Sequence, residues 1–293
     1  MRRLPLDRLI AIALLAPSLL AVGIFVYGFI GWTAYVSLSN WNTFIPDLSF
    51  AGFTNYLALM RSFRFQADLR NTLIFTSTFL VTSLGIGFLL AVLLDQHVRG
   101  ETVFRNIFLF PMALSFIVTG VTWQWLLNPS TGVNLLLDHV GLGFLKSRWY
   151  TDPPIAIFSV VLAAVWQMSG FTMAMYLAGL RGVPDELLEA AQVDGATEWQ
   201  VYRHIILPLL HPVTLSAVIV LGHISLKIFD LVYAMTGSGP AFSTDVPGVF
   251  MFETTFRGNR FAEGAAISMI MLLLVAVLII PYLWYSIRAG SAS

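Results

Sequence analysis

Six apolar runs, each long enough to cross a lipid bilayer, limit what this 293-residue chain can fold into. They cover residues 9–37, 71–94, 106–127, 154–180, 209–235 and 264–287. Each run is continuous rather than alternating, so its backbone satisfies its own hydrogen bonds as a helix and not as a barrel strand. Composition points the same way. Only 11% of the residues are charged, against roughly a quarter in a soluble domain. A surface so poor in charge has lipid as its natural solvent. The expected fold is an all-α integral membrane protein of six transmembrane helices, forming one domain over residues 1–293.

Several functions are closed to such a chain. There is no cysteine, which excludes disulfides, thiolate metal sites and a cysteine nucleophile. A formal net charge of zero gives no electrostatic footprint for nucleic acid. No Gly-Lys dipeptide occurs, so there is no phosphate-binding loop, and any ATP that drives this protein is hydrolysed on another chain. The histidines at His97, His139, His204, His211 and His223 lack metal-ligand spacing. Ser169-Gly170 with His223 would suit an intramembrane serine protease, but Gln167 stands where the nucleophile motif needs glycine. Arg2, Arg3 and Arg8 precede the first run, as in a signal peptide. That run stays free of charge to Ser37, far beyond the roughly 7–15 residues of a signal core, so it reads as the first span.

An even number of spans puts both termini on one side. With the termini inside, the inner segments hold eight basic residues and the longer outer loops seven. The higher inner density agrees with the positive-inside rule.

The loop at 181–208 differs from those at 40–70, 95–105, 128–153 and 236–263 in carrying two short helix signals. Pro184 suits a first helical position, and Asp185 and Glu186 follow where the helix dipole favours anions. Leu187, Leu188, Ala191 and Val193 give that helix an apolar side, and Gly195 breaks it. Thr197 with Gln200 forms a capping box for a second helix. Trp199, Tyr202, Ile205 and Ile206 follow at helical spacing, and Pro208 stands at the entry to the fifth run. Two readings fit: an amphipathic loop lying on the membrane surface, or a compact knob that docks on a partner, with Ala190 and Ala191 permitting close approach.

Glu189-Ala190-Ala191, three further residues, Gly195, nine further residues and then Ile205-x-Leu207-Pro208 resembles the EAA loop of binding-protein-dependent ABC importers. The resemblance extends along nearly the whole chain toward the maltose-type sugar permeases. Gly52-Phe53-Thr54-Asn55-Tyr56 is similar to their first outer-loop motif, Asn71-Thr72 to the start of their second span, and Phe104-Arg105 with Pro111 to their third. Pro129, Gly132 and Asn134 resemble their second outer loop. Phe229-Asp230 and the segment from Thr236 to Pro240 resemble their fifth-span exit, with Ser238 replacing one of two usual adjacent glycines.

The resemblance implies that 181–208 is cytoplasmic, as are both termini, and that Glu189, Ala190, Ala191, Asp194, Gly195, Leu207 and Pro208 meet an ATPase subunit. It implies a multi-pass permease in the inner membrane of a prokaryote, surrounded by lipid. The implied partners are a second homologous permease, two subunits that bind ATP and Mg, and an extracytoplasmic solute-binding protein. The implied cargo is a sugar, with glucose or a related monosaccharide favoured over another sugar, a polyol or glycerol phosphate.

His223, Lys227 and Asp230 in the fifth run fall at i, i+4 and i+7, on one face of a continuous helix, where Lys227 and Asp230 can pair. Charged groups in a bilayer need a partner or a wet cavity. They are read either as a structural ion pair or, with Gln167 and Ser169 of the fourth run, as the lining of the sugar pathway. Trp166, Trp123, Gln124 and Trp125 are further sugar-binding candidates, or ordinary packing residues. A stand-alone carrier using the charged stripe as an ion relay is the competing class, and it leaves the fourth loop without a purpose.

Overall fold

The computed structural model describes residues 6–96 and 99–290, so Arg2, Arg3 and His97 lie outside the described residues. The chain is helical nearly throughout. In order come α1 (Leu6–Val22), a π-helical stretch, α2 (Phe29–Ser37), α3 (Thr54–Arg61), α4 (Phe63–Asp95), α5 (Glu101–Leu109) and α6 (Phe116–Leu126). Then follow α7 (Val133–His139), α8 (Pro153–Leu180), α9 (Asp185–Val193), α10 (Glu198–Val201), α11 (Leu207–Leu209), α12 (His211–Leu226), α13 (Asp230–Met235), α14 (Pro247–Phe252) and α15 (Phe261–Gly290).

This is an all-α integral membrane fold. Among the described residues, four helical stretches are long and apolar enough to cross a membrane: Leu14–Ser37, Phe63–Asp95, Pro153–Leu180 and Phe261–Tyr282. Two bent pairs raise the number to six if each counts as one span. Glu101–Ala113 meets Phe116–Leu126 at 101°, and Glu198–Leu209 meets His211–Leu226 at 60°.

The structure groups the chain into two compact units, residues 1–62 with 251–272, and residues 63–250 with 273–293. In the larger unit α4 and α8 form the axis. Ser83, Gly87 and Ala91 recur every four residues on α4 and are all buried. Small residues at this spacing let helix backbones approach closely. A Cβ on Gly87 would lie 2.0 Å from Thr172 Oγ1, and that hydroxyl donates to the carbonyl of Ser83 at 2.8 Å. One apolar cluster on this axis gathers Phe75, Phe79, Val160, Leu221, Leu231 and Val232. A second, nearer the loop after α8, gathers Ala91, Leu94, Met173, Leu177, Leu180, Ile206 and Leu210.

Helix α4 starts at Phe63, earlier than the apolar run at 71. Its first turns are polar in sequence but packed: Asp68 and Asn71 are buried, and Asn71 donates to the carbonyls of Phe242 and Asp245 at 2.7 and 3.0 Å. Arg64 reaches the fully buried Asp245 at 2.5 Å and lies over the rings of Phe242 and Phe250. The segment after α13 is thereby strapped to the start of α4.

The expected third span, 106–127, is not one straight helix. Pro111 sits in a tight turn at Phe110–Ala113, and Ser115 is extended and accepts from the Val118 amide, which starts a new helix. The carbonyl of Leu114, left free by the break, accepts the side-chain amide of Gln167 at 2.7 Å.

In the smaller unit, the side-chain amide of Asn55 donates to the carbonyls of Ser37 and Ser39 at 3.0 and 2.9 Å, and its oxygen accepts from Asn42 at 3.1 Å. Asn42 in turn accepts the Glu263 amide at 3.0 Å, and the carbonyl of Trp41 accepts from Ala262 at 2.8 Å. The exit from α2 is thus clipped to the first turn of α15.

Candidate coupling loop and broken-helix face

The loop after α8 folds into two short helices. Pro184 occupies the cap position and α9 begins at Asp185, one residue later than the sequence suggested. At its end, Ala196 donates to the carbonyl of Ala191 at 2.9 Å and Gly195 to that of Gln192 at 3.0 Å. This closing arrangement needs a left-handed residue, and Gly195 supplies it with φ +74° and open space around its Cα. The capping box is present: Thr197 N–H donates to Gln200 Oε1 at 2.8 Å, and Gln200 N–H to Thr197 Oγ1 at 3.4 Å. Helix α10 passes into a π-helical turn at Tyr202–Ile206 before α11, and the chain bends at Leu210.

One side of this knob is seated. Ala191, Ile206 and Leu210 are buried, and Leu188, Val201 and Tyr202 pack beside them against Ala91, Leu94, Leu177 and Leu180. The other side is open. Glu189, Ala190, Asp194, Gly195, Leu207 and Pro208 are exposed. Val193 is 88% exposed and Trp199 68%, although the sequence placed Val193 on the inward side. Val193 follows Leu188 by five residues, which turns it about 140° around the helix. That angle was available from the sequence and accounts for the exposure of Val193; Trp199, at the start of α10, is a second exposed apolar residue of the loop.

The structure corrects the fifth-span stripe. Helix α12 stops at Leu226, Lys227 has φ −113°, Phe229 has φ −133°, and α13 restarts at Asp230. His223, Lys227 and Asp230 therefore do not share one continuous helical face. No proline or glycine marks the break. Packing sets it: α13 lies on α6, where a Cβ on Gly120 would come within 2.9 Å of the carbonyl of Leu231. Lys227 and Asp230 are both exposed and His223 is half-buried. Among the ion pairs of the described residues, none joins Lys227 to Asp230. Gln167 is buried, with Nε2 donating to the Leu114 carbonyl and Oε1 without a hydrogen-bond partner among the described residues, and Ser169 is half-buried. Trp123 and Trp166 meet edge to face at 5.8 Å. Among the described residues, no group of three or more His, Asp or Glu could hold a metal.

Residues 83–287 match the family described as "Binding-protein-dependent transport system inner membrane component". The chain is 45% identical to a probable ABC transporter permease protein of Pyrococcus horikoshii over 98% of its own length and 99% of the relative's. It is 37% identical to the xylose/arabinose import permease protein XacH of Haloferax volcanii, over 92% of this chain and 85% of that one. Among solved structures, a bacterial ABC transporter involved in import of the acidic polysaccharide alginate has a chain of similar fold, with a TM-score of 0.83 at 23% identity and 96% of each chain covered.

Proposed function

The chain belongs to the family of binding-protein-dependent transport system inner membrane components, and we propose that it is the sugar-conducting permease of an ATP-driven importer, coupled through 181–208. It is a transport subunit and not an enzyme, ATP hydrolysis occurs in a separate subunit, and the protein is a multi-pass component of a prokaryotic inner membrane.

In the proposed reading each bent pair supplies one crossing, the second through His211–Leu226 with residues 198–208 left outside the membrane, giving six, with both termini and 181–208 in the cytoplasm. The observation that carries it is the knob itself. Its seated side joins the core of α4 and α8, while Glu189, Asp194, Gly195, Val193 and Trp199 stand free. A surface helix ordinarily buries its large apolar groups. Exposed apolar residues on a loop that also exposes the carboxylates of Glu189 and Asp194 are what a partner's groove would receive. The partners are two ATPase subunits that bind ATP and Mg, a second homologous permease and an extracytoplasmic solute-binding protein. ATP-driven closure of the ATPase pair pushes the knob, and the seated side transmits the push to α4 and α8.

Lys227 to Asp230 are proposed to line the pathway. Non-helical backbone at membrane depth is tolerated where it is buried in protein or faces water, and the exposed Lys227 and Asp230 beside the break favour water. A sugar cargo is supported by relatives named for xylose/arabinose import and, at 34% identity, for trehalose/maltose transport in Thermococcus litoralis. Glucose or a related monosaccharide is the first cargo to test.

The test is reconstitution of the co-purified complex in vesicles, with uptake of labelled glucose, xylose, maltose and glycerol phosphate followed with and without ATP. ATP-dependent uptake of a sugar is expected. Uptake of glycerol phosphate alone would overturn the sugar reading, and full ATP-coupled transport by both Glu189→Lys and Gly195→Pro would overturn the role of 181–208.

A further inference from the structure

Arg181 is the first residue after α8 and the first of the loop 181–208. Its guanidinium contacts two carboxylates from different helices. Nη2 lies 2.9 Å from Glu101 Oε1, and Nε lies 3.6 Å from Asp95 Oδ1. Asp95 is the last residue of α4 and Glu101 the first of α5. Arg105, one turn further along α5, lies 4.0 Å from the same Glu101 oxygen. The hydrogen bond that Arg181 donates to Glu101, with the nearby charges of Glu101 and Asp95, raises the pKa of Arg181 above its ordinary value.

We propose that Arg181 is a positioning residue that clamps the root of the loop to the ends of α4 and α5, so that one displacement of the knob moves three helices together. The proposal rests on the reading of 181–208 as the ATPase contact. Apolar packing already holds the knob to α4 and α8. What Arg181 adds is the first turn of α5, the arm whose other end is stitched to α8 through Leu114 and Gln167. A guanidinium suits this place because its planar fork can hold two carboxylates at fixed angles, which an ammonium cannot. The side chains of Arg181, Asp95 and Glu101 are 41%, 33% and 24% exposed. Exposed pairs of this kind contribute little to stability, so the clamp can be removed without unfolding the chain. Its effect is on which parts move together.

The chain has no native cysteine, so spin labels can be placed at will. Val103 on α5 and Glu186 on α9 are both exposed. Labels at Val103→Cys and Glu186→Cys, in the complex assembled with its ATPase subunits, report whether arm and knob move as one. The expected result is a narrow distance distribution whose centre is the same without nucleotide and with ATP plus vanadate. Arg181→Gln should broaden it about twofold and shift its centre between the two states, and Arg181→Lys should recover only part of the order. A label distribution in Arg181→Gln that matches the parent in both states overturns the clamp. So does failure of Arg181→Gln to assemble, which would make the residue structural. Glu189→Lys tests the underlying reading separately. If that variant keeps full ATP coupling, the loop is not the ATPase contact. If it loses coupling while Arg181→Gln leaves the distances unchanged, only the clamp falls.

Discussion

Replacing Gly170 by alanine tests the seating of the bent third span on α8 most directly. A Cβ at position 170 would lie 2.0 Å from the carbonyl oxygen of Phe108, 2.7 Å from its carbon and 3.2 Å from Leu109 Cα. All three are backbone atoms, so no rotamer change relieves the clash. Ordinary contact begins at about 3.5 Å, and α5 must therefore back away from α8 by about 1.5 Å at this point. A gap half that size already forfeits a quarter or more of each contact's attraction. The neighbouring bond from Gln167 to Leu114, now 2.7 Å, would be pulled beyond useful range. Overpacking of about 1–3 kcal/mol and a lost hydrogen bond of about 1 kcal/mol together give a cost of about 2–4 kcal/mol. Gly85 is the control, since a Cβ there meets nothing within 4 Å.

The assay is thermal unfolding of the detergent-extracted permease, followed by the fluorescence of its eight tryptophans. On the scaling of soluble domains, Gly170→Ala should melt roughly 5–15 °C below the parent, and Gly85→Ala at the parent's temperature or slightly above. If Gly170→Ala melts with the parent, α5 does not cross α8 at Gly170, and the seating of the first half of the bent span on α8 falls with it.

Gly195→Ala puts a side chain at φ +74° in open space, which costs about 1–2 kcal/mol of local strain; the knob should loosen, ATP hydrolysed per sugar imported should rise, and the melting temperature should fall by only about 2–8 °C. Asp230→Ala should impair uptake more than assembly, because the residue is exposed beside the break and supports no core; normal assembly with transport at the parent's rate would remove it from the pathway. Asn134→Leu should destabilise the segment between α6 and α8 by about 2–4 kcal/mol, on about 1 kcal/mol per bond lost, since Asn134 donates to the carbonyls of Pro129 and Ser147 and accepts from Trp149 Nε1; proteolysis between 128 and 153 would detect it.

The apolar runs located the membrane helices because lipid demands nearly uninterrupted apolar sequence over a full crossing. The knob was legible because its caps are local chemistry. Thr197 and Gln200 bond each other over three residues, and Gly195 meets a backbone demand of its own turn. Several residues quoted for their resemblance to sugar permeases also gain a physical reason. Asn55, Asn71 and Asn134 each spend a side-chain amide on carbonyls that no regular element satisfies. Arg181 was not legible as a clamp, because its carboxylate partners lie some eighty residues away in sequence.

The breaks were illegible for a related reason. A run of apolar residues states that a segment belongs in lipid and leaves open whether its backbone stays straight. At Leu114–Ser115 the new helix has a local signal, the Ser115 cap, but the free carbonyl it creates is satisfied only by Gln167, 53 residues on. At Lys227–Phe229 no local signal exists, and the turn follows from the seat that Gly120 offers to α13. Each break therefore depends on a partner helix, the first in addition to its own Pro111 turn and Ser115 cap, and this has a mechanical consequence. Gln167 lies on α8, the same helix that ends at Arg181 and the knob. A push on the knob that shifts α8 along its axis bears on the Leu114 break directly. Through α6 it bears on α13 and on the exposed Lys227 and Asp230. On the coupling proposed above, an ATPase seated on the knob would reach Lys227 and Asp230 without touching them, which a set of straight, independently stable helices could not transmit.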